Sequence, residues 1–453
     1  MTDISPATVR LPNRTLERPI RALHGVNNGP VTYGGFVDVS EDYRAAGIPS
    51  VRIHDPNWPH AWEVDVHTIF PDFSKDPEDP ASYDFHRTDD YLASIIATGA
   101  TIVYRLGESI EHTTRTYFVH PPADFEKWAR ICAGIVRHYN LGWADGFHYG
   151  IEHWELWNET DLVGISAFVE ERGGPTWTGT IEDYFRIYEV TATHLKQQFP
   201  TIKIGGPAAT SLNLEGTEAF LAYCRDHGAP LDFFSWHTYT GDLEKLLANA
   251  AWMERKLDEY GFGAAENILD EWNYEFLAAG RFDDHELTRE VFGRIRGGEG
   301  AAFAASVLCE LQDTRVDMAH YYDGQPRSWW CGLFDDFGCR LPTFWVFERF
   351  GRLASLPRRR VVEIDGAPQR VSALAGADHD RVVLWLTNPH ADPVDIVLDG
   401  DDLPTGSHVR EVIDDSTRGN AGPVETEADP SAALRLAPRS VSILTWRTAG
   451  AEP

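Results

Sequence analysis

The chain has 453 residues, 43% of them hydrophobic and 24% charged, enough for one large barrel plus a smaller module. Seventy acidic residues against 40 basic ones give a formal net charge of −30, a surface that repels polyphosphate and makes nucleic acid and anionic membrane poor partners. The most apolar run, Ala301 to Leu311, is interrupted by Ser306 and Glu310 and reads as a buried helix, so no membrane span is expected.

The segment Met1 to Pro6 has neither a basic start nor an apolar run, and a cytoplasmic location is expected. The five cysteines, Cys132, Cys224, Cys309, Cys331 and Cys339, form no Cys-x-x-Cys and fit a reduced compartment. Only Cys331 and Cys339 are near enough in sequence to bridge a loop. Asn158-Glu159-Thr160 matches the glycosylation pattern, but a glycan there would cover the site proposed below.

In chain order, apolar strands are expected near Ala22–Val26, Ser50–His54, Thr101–Leu106, His153–Trp157, Ile202–Pro207, Phe233–His237, Asn267–Asp270 and Val316–Tyr321. Helical patterns separate them: Val39–Ala46, closed by Gly47; Arg87–Thr98, closed by Gly99; Asp124–Tyr139; Ile181–Phe199; Gly216–His227; Asp242–Glu259; and a helix-rich stretch from His285 to Leu311. A long loop, Asn57 to Phe85, is rich in Pro, Asp and aromatics, and loops of that length are usually functional. Eight such units predict an α/β fold, a (β/α)8 TIM barrel over residues 21–350. After Phe350 short alternating runs take over, predicting an all-β sandwich-like domain over residues 351–448. Residues 1–20 form an N-terminal segment that can add a strand to that domain, and residues 449–453 read as a disordered tail.

In such a barrel the chemistry lies at the C-terminal ends of the strands. The fourth strand ends Trp157-Asn158-Glu159 and the seventh Asp270-Glu271-Trp272-Asn273. Strands four and seven face each other across the mouth of a closed eight-stranded barrel. Two facing glutamates in an aromatic cleft are the apparatus of glycoside hydrolysis, one giving a proton and the other attacking or stabilising the anomeric carbon. Asn27, His54, His237 and Tyr239 stand at other strand ends, with Trp329 and Trp330 beyond the eighth. Arg52 is expected to keep the nucleophile ionised through a charge-assisted bond. Glu108 is a further strand-end carboxylate in a supporting role, and Glu155 is expected to pair with Arg52 or Arg105. No His-x-His or His-Glu-x-x-His occurs, so neither a metal nor a cofactor is expected.

These residues resemble the clan A glycoside hydrolases, most closely family 39, which includes β-xylosidases and α-L-iduronidases. The matching segments are His24–Pro30, Val51–Asp55, Trp157–Glu159, Ser235–Tyr239, Asp270–Asn273 and Trp329–Leu333. The resemblance implies a retaining mechanism with Glu159 as acid/base and Glu271 as nucleophile, Asn158 on the sugar 2-hydroxyl, His237 and Tyr239 orienting substrate or tuning Glu271, and His54 in the innermost subsite. Trp272, Asn27, Trp329 and Trp330 complete the substrate-binding set. The family usually has Pro after the acid/base; here Thr160 follows. The partner implied is a small carbohydrate, and the chain is free to form a homo-oligomer. The glycone stays open among xylose, arabinose, galactose, glucose and uronic acid. The rival readings are a metal-dependent barrel enzyme and a non-catalytic sugar-binding barrel.

Overall fold

The computed structural model describes residues 6–32, 35–56, 62–111, 115–162, 174–212, 214–274, 284–326, 332–399, 407–417, 419–428 and 434–447. The first strand, β1 (Ala7–Arg10), belongs to the C-terminal module. Eight parallel strands then close a barrel: β2 (Gly25–Asn27), β3 (Ser50–Ile53), β4 (Thr101–Leu106), β5 (His153–Leu156), β6 (Lys203–Ala209), β7 (Phe233–Tyr239), β8 (Glu266–Asn273) and β9 (Met318–Tyr321). Closure is made by β9 on β2, with Gly25 opposite His320 and Val26 opposite Tyr321.

The crossover helices begin where side chains satisfy the free N–H groups of the first turn. Asp124 caps Phe125–Leu141, Asp242 caps Leu243–Glu259, and Thr180 forms a reciprocal capping box with Asp183 on Ile181–Gln198. Gly47 and Gly142 end helices in the left-handed region, with φ of 62° and 73°.

The C-terminal module is two packed sheets. In one, β1 runs parallel to Val394–Asp399 and antiparallel to Glu363–Asp365. The other has Arg381–Asn388 at its centre, between Ser372–Ala377 and Ser440–Arg447. Arg381–Asn388 is apolar on both faces for a reason. Leu384 and Leu386 join Val9 and Leu11 in the core between the sheets, whereas Val383 and Trp385 pack into the barrel-side core.

Several expectations shift. The stretch from His285 to Leu311 is two helices, His285–Ile295 and Gly298–Glu310. They break where the Gly298 amide donates to Asp415 of the β module at 2.7 Å. The loop after β3 carries structure of its own, a helical turn at Val66–Ile69 and a 3-10 turn at Pro80–Ser82. Its acidic run serves those turns: Asp76 accepts from the Glu78 amide, Asp79 from the Ala81 amide, and Glu78 pairs with Arg137 at 2.8 Å. A helix at Pro342–Ala354, opened by proline in its first turn, follows the barrel; its proline start was the signal for it in the sequence. Cys132, Cys224 and Cys309 are buried free thiols and Cys339 is exposed; Cys331 and the tail lie outside the described residues.

At Gly298 an added Cβ would fall 2.7 Å from the Asp415 amide nitrogen and 2.8 Å from the Arg439 carbonyl. Gly298→Ala is expected to cost about 1–3 kcal/mol, by pushing the barrel and the β module apart. Urea unfolding followed by tryptophan fluorescence checks it, and an unchanged midpoint would refute that account of the junction.

Candidate active site

The site is built on strand ends whose backbones leave the barrel through left-handed conformations. Asn28 (φ 66°) follows β2, Asp55 (φ 49°) β3, Trp157 (φ 69°) and Glu159 (φ 48°) β5, and Ala208 (φ 51°) lies within β6. Each is an uncommon conformation for a residue with a Cβ, held only where neighbours over-determine it. The Glu159 turn is held tightly. Its amide donates to the Ala208 carbonyl at 3.0 Å, and its carbonyl accepts from the Leu162 amide at 2.9 Å and from Thr176 Oγ1 at 2.5 Å. Asp161 accepts from the Thr210 amide and hydroxyl at 3.0 and 2.9 Å. These bonds restrain the turn that Thr160, lacking a proline ring, leaves free.

Glu159 and Glu271 come together as expected, both buried at the mouth. A carboxylate oxygen of each, together with a His237 ring nitrogen, lie within 4.8 Å of one another. His237 Nδ1 stands 2.8 Å from Glu159 Oε1 and 3.5 Å from Glu271 Oε2. Tyr239 donates its hydroxyl to Glu271 Oε1, and Arg52 Nη1 donates to Glu271 Oε2 at 3.1 Å.

A β-bulge makes this convergence possible. Strand β8 pairs regularly with β7 up to Leu269 opposite Trp236, and then slips so that Glu271, not Asp270, faces His237. The extra residue breaks the alternation of faces, and Asp270 and Glu271 both reach Arg52, Asp270 at 3.0 Å from Nε. Strand β7 aims His237 and Tyr239 at the same place.

Arg52 lies fully buried beneath the two glutamates. Besides Glu271 and Asp270, it binds Glu155 Oε2 from Nη2 at 2.7 Å, Asn27 Oδ1 from Nη1 at 3.1 Å and Asn158 Oδ1 from Nη2 at 2.7 Å. Because guanidinium only donates, the Asn158 carbonyl must face it. That turns Asn158 Nδ2 away, and this buried amide has no hydrogen-bond partner among the described residues.

The charges follow from this packing. Burial disfavours the cation on His237, but Glu271 and Asp270 and the bonds to Asp270 and Glu159 outweigh it and raise its pKa well above the ordinary 6.5. Burial pushes Glu271 above its ordinary value, helped by Glu159 and opposed by His237, Arg52 and the Tyr239 hydroxyl.

The other anticipated residues divide. Asn27 is spent inside the protein: Nδ2 donates to the carbonyls of Asp270 (2.9 Å) and His320 (3.3 Å), and Oδ1 accepts from Arg52. It braces Arg52 rather than offering its amide to a ligand. Trp272 is wholly buried, edge-on to Tyr321 at 5.2 Å between ring centres. His54 is buried with Nε2 3.4 Å from Asp55. Glu108 binds neither glutamate; its oxygens take the His67 amide at 3.1 Å and His67 Nδ1 at 2.5 Å. Trp329 and Trp330 lie outside the described residues. Asp270 is the participant the sequence reading missed. Only its place beside Glu271 pointed to it, and strict alternation argued against it.

Among the described residues, two buried clusters have three potential metal-ligand atoms each: Glu159, His237 and Glu271, and Asp65, His67 and Glu108. Their donor chemistry does not fit a resident ion. The first holds a charged imidazole. In the second, Asp65 accepts from Arg105 at 2.7 Å and from the Ser109 amide at 2.9 Å, while Glu108 is closed on His67.

Residues 40–266 match the family described as Glycosyl hydrolases family 39. The chain belongs to that family. A β-xylosidase of Caldicellulosiruptor saccharolyticus is 27% identical over 332 residues, spanning 68% of this chain and 64% of the relative. A β-xylosidase of Geobacillus stearothermophilus is 33% identical over 127 residues, 27% of this chain and 22% of the relative. The family 39 chain thus matches less than two thirds of the length of either relative. Two solved structures share its fold over 97% of this chain and 99% of their own: a glucosidase from Croceicoccus marinus (TM-score 0.76, 23% identity) and a family 39 β-xylosidase from Caulobacter crescentus (TM-score 0.68, 16% identity). No helix among the described residues is long and apolar enough to cross a membrane.

Removing Arg52 would leave Glu155, Asp270 and Glu271 buried around no cation on that side. Arg52→Leu is therefore expected to cost about 3–5 kcal/mol. The loss should deepen as pH rises, because the orphaned carboxyls then compete between ionising in a dry site and staying neutral. Chemical denaturation at acidic and at neutral pH measures it, and a variant as stable as the wild type at both would refute the role given to Arg52.

Proposed function

We propose that this family 39 chain is a retaining O-glycosyl hydrolase, β-xylosidase-like, acting on small glycosides or oligosaccharides with Glu159 as acid/base and Glu271 as nucleophile. The observation that carries the reading is that one oxygen of each carboxylate lies within 4.8 Å of the other, with Arg52 and Tyr239 both bonded to Glu271. Retaining enzymes place their carboxyls about 5–5.5 Å apart for direct attack, whereas inverting ones leave about 6.5–9.5 Å for a water. The β-xylosidase assignment draws on the two named relatives.

In the first step Glu271 attacks the anomeric carbon while Glu159 gives its proton to the departing glycosidic oxygen. The glycosidic C–O bond breaks and a glycosyl ester forms on Glu271. In the second step Glu159, now a carboxylate, takes a proton from water, which attacks the anomeric carbon and releases Glu271. His237 donates to one oxygen of Glu159 and leaves the other for the leaving group. In this reading the unpartnered Nδ2 of Asn158 serves the sugar 2-hydroxyl, a bond that can strengthen in the transition state. His54, Trp329 and Trp330 complete the substrate contacts in this reading, and Asn27 and Trp272 support them from beneath.

Turnover on 4-nitrophenyl α- and β-glycosides of pentoses, hexoses and uronic acids tests the assignment, with the β-xyloside as the expected hit. Glu271→Ala should lose nearly all turnover. Glu159→Ala should slow poor leaving groups far more than 4-nitrophenolate, since only poor ones need the proton. Equal damage to both classes would remove Glu159 from the acid role.

The pH profile gives a second check. Attack requires ionised Glu271, whose pKa lies above the ordinary 4.5. The acidic limb of kcat/KM should therefore lie above that value, with activity lost as pH falls through it. Tyr239→Phe deletes a bond that favours the carboxylate, so its acidic limb should move to higher pH. A limb that stays or moves down would refute the tuning role of Tyr239.

A further inference from the structure

Beneath the Glu159–Glu271 pair lies a second pair of carboxyls that the proposed mechanism does not use. Glu155 lies four residues before Glu159, on β5, and Asp270 is the bulge residue of β8; both are fully buried. We infer that Glu155 is a positioning residue, sharing one proton with Asp270 so that the joined carboxyls hold Arg52 aimed at Glu271 and Asn158. The inference rests on the reading of the site only for its catalytic consequence.

Three observations lead there. First, the two carboxyls converge on one donor: Glu155 Oε2 and Asp270 Oδ2 stand 2.8 and 3.0 Å from the same Arg52 Nε. Glu155 Oε1 and Asp270 Oδ1 are buried with no hydrogen-bond donor among the described residues, and carboxylates only accept, so a proton held between the pair would satisfy both.

Second, the charges do not otherwise balance. Among the described residues, six ionisable groups share this buried space, two of them cations, Arg52 and His237, against Glu155, Asp270, Glu159 and Glu271. Even with Glu159 protonated as the proposed acid, three buried carboxylates around two cations would leave an excess of negative charge in a dry site, which a further proton relieves.

Third, the surroundings put the proton on Glu155. Burial and then Asp270 push Glu155 up to about 8 against the pull of Arg52. Burial also opposes charge on Asp270, but Arg52 and His237 outweigh it and hold Asp270 well below the carboxylate range. Glu155 is faced by Arg52 from β3, Asp270 from β8, the Ser235 hydroxyl from β7 and Tyr184 from the helix Ile181–Gln198. His320, bonded to the Ser50 hydroxyl, is pushed down to about 3 by burial and adds no cation here.

A neutral Glu155 can donate to Asp270 while its other oxygen accepts from Arg52 Nε and Nη2 at 2.8 and 2.7 Å. Arg52 is then clamped on one side, and Nη1 and Nη2 are fixed toward Glu271 and Asn158. An ionised Glu155 would place one more negative charge against Arg52 and weaken its hold on the charge of Glu271.

Thermal unfolding across pH reads the proton directly. The folded pKa of Glu155 lies above the ordinary 4.5, near 8. Its contribution to stability is therefore present below 4.5 and lost as pH rises through about 8. Gln mimics the neutral acid and cannot release a proton. Over about pH 5 to 8, Tm should fall less steeply in Glu155→Gln than in the wild type, by about one proton per molecule in the linkage slope. Equal slopes overturn the inference.

Activity supplies the positioning readout. Of the kcat/KM lost by Glu155→Ala, Gln should restore about tenfold or more, and a Gln variant no better than Ala overturns the clamp. If Glu155→Gln does not fold, the infrared difference spectrum between the wild type and Glu155→Ala at neutral pH decides the matter. A neutral-carboxyl stretch lost with Glu155 supports the shared proton, and an unchanged neutral-carboxyl region overturns it. The thermal and infrared measurements need no substrate, so their failure is distinct from a blank glycoside panel.

Discussion

A single buried cation, Arg52, sets the geometry of this barrel mouth. Its guanidinium meets side chains from β2, β5 and β8 and from the turn that follows β5, drawing together residues as distant in sequence as Asn27, Glu155, Asn158, Asp270 and Glu271. Burying an arginine is costly unless its donors are satisfied and its charge is matched. The strand ends are arranged to meet that requirement, and in meeting it they fix the orientation of both Glu271 and the Asn158 amide. Lysine could supply the charge but not this fork of donors.

The second constraint is the backbone. A regular strand would send Asp270 and Glu271 to opposite faces, and only one could reach Arg52. The β8 bulge aims both inward. On the other side of the mouth, Glu159 is turned by a left-handed residue whose backbone is pinned by β6 and Thr176. Strain at Trp157, Glu159 and Ala208 is tolerated because hydrogen bonds from neighbouring segments leave no easier conformation. Bulge and turn bring two like-charged groups close together, an arrangement that electrostatics alone would not favour.

Much of the barrel was legible because β4, β6 and β7 are continuous apolar runs, as strands buried on both faces must be. The pairing of Glu159 with Glu271 was legible for a topological reason: strand order alone puts the fourth and seventh strands across the mouth. What escaped was what depends on departures from periodicity. Asp270 follows Leu269 in a pattern that assigns it outward, and nothing in Ile268–Asn273 announces a bulge. Asn27, at a strand end, looked available to a ligand, yet its amide is consumed by two carbonyls and Arg52, partners brought from β3, β8 and β9. The break at Gly297–Gly298 answers to Asp415, more than a hundred residues away, and no local rule contains that contact.

The arrangement also explains why two acidic layers are stacked in one barrel. In the proposed mechanism the upper layer needs Glu271 negative and Glu159 able to carry a proton, which Glu159 gives up in the first step and recovers in the second. An unopposed cation beneath Glu271 would pull its carboxyl strongly toward the ionised form. Asp270 offsets part of the Arg52 charge, and a protonated Glu155 limits how far that offset goes. Glu271 then faces a field intermediate between a bare cation and a neutral salt bridge. In this view the lower carboxyls do not add binding energy. They set how strongly Arg52 acts on the groups above it, and they do so from positions that no substrate reaches.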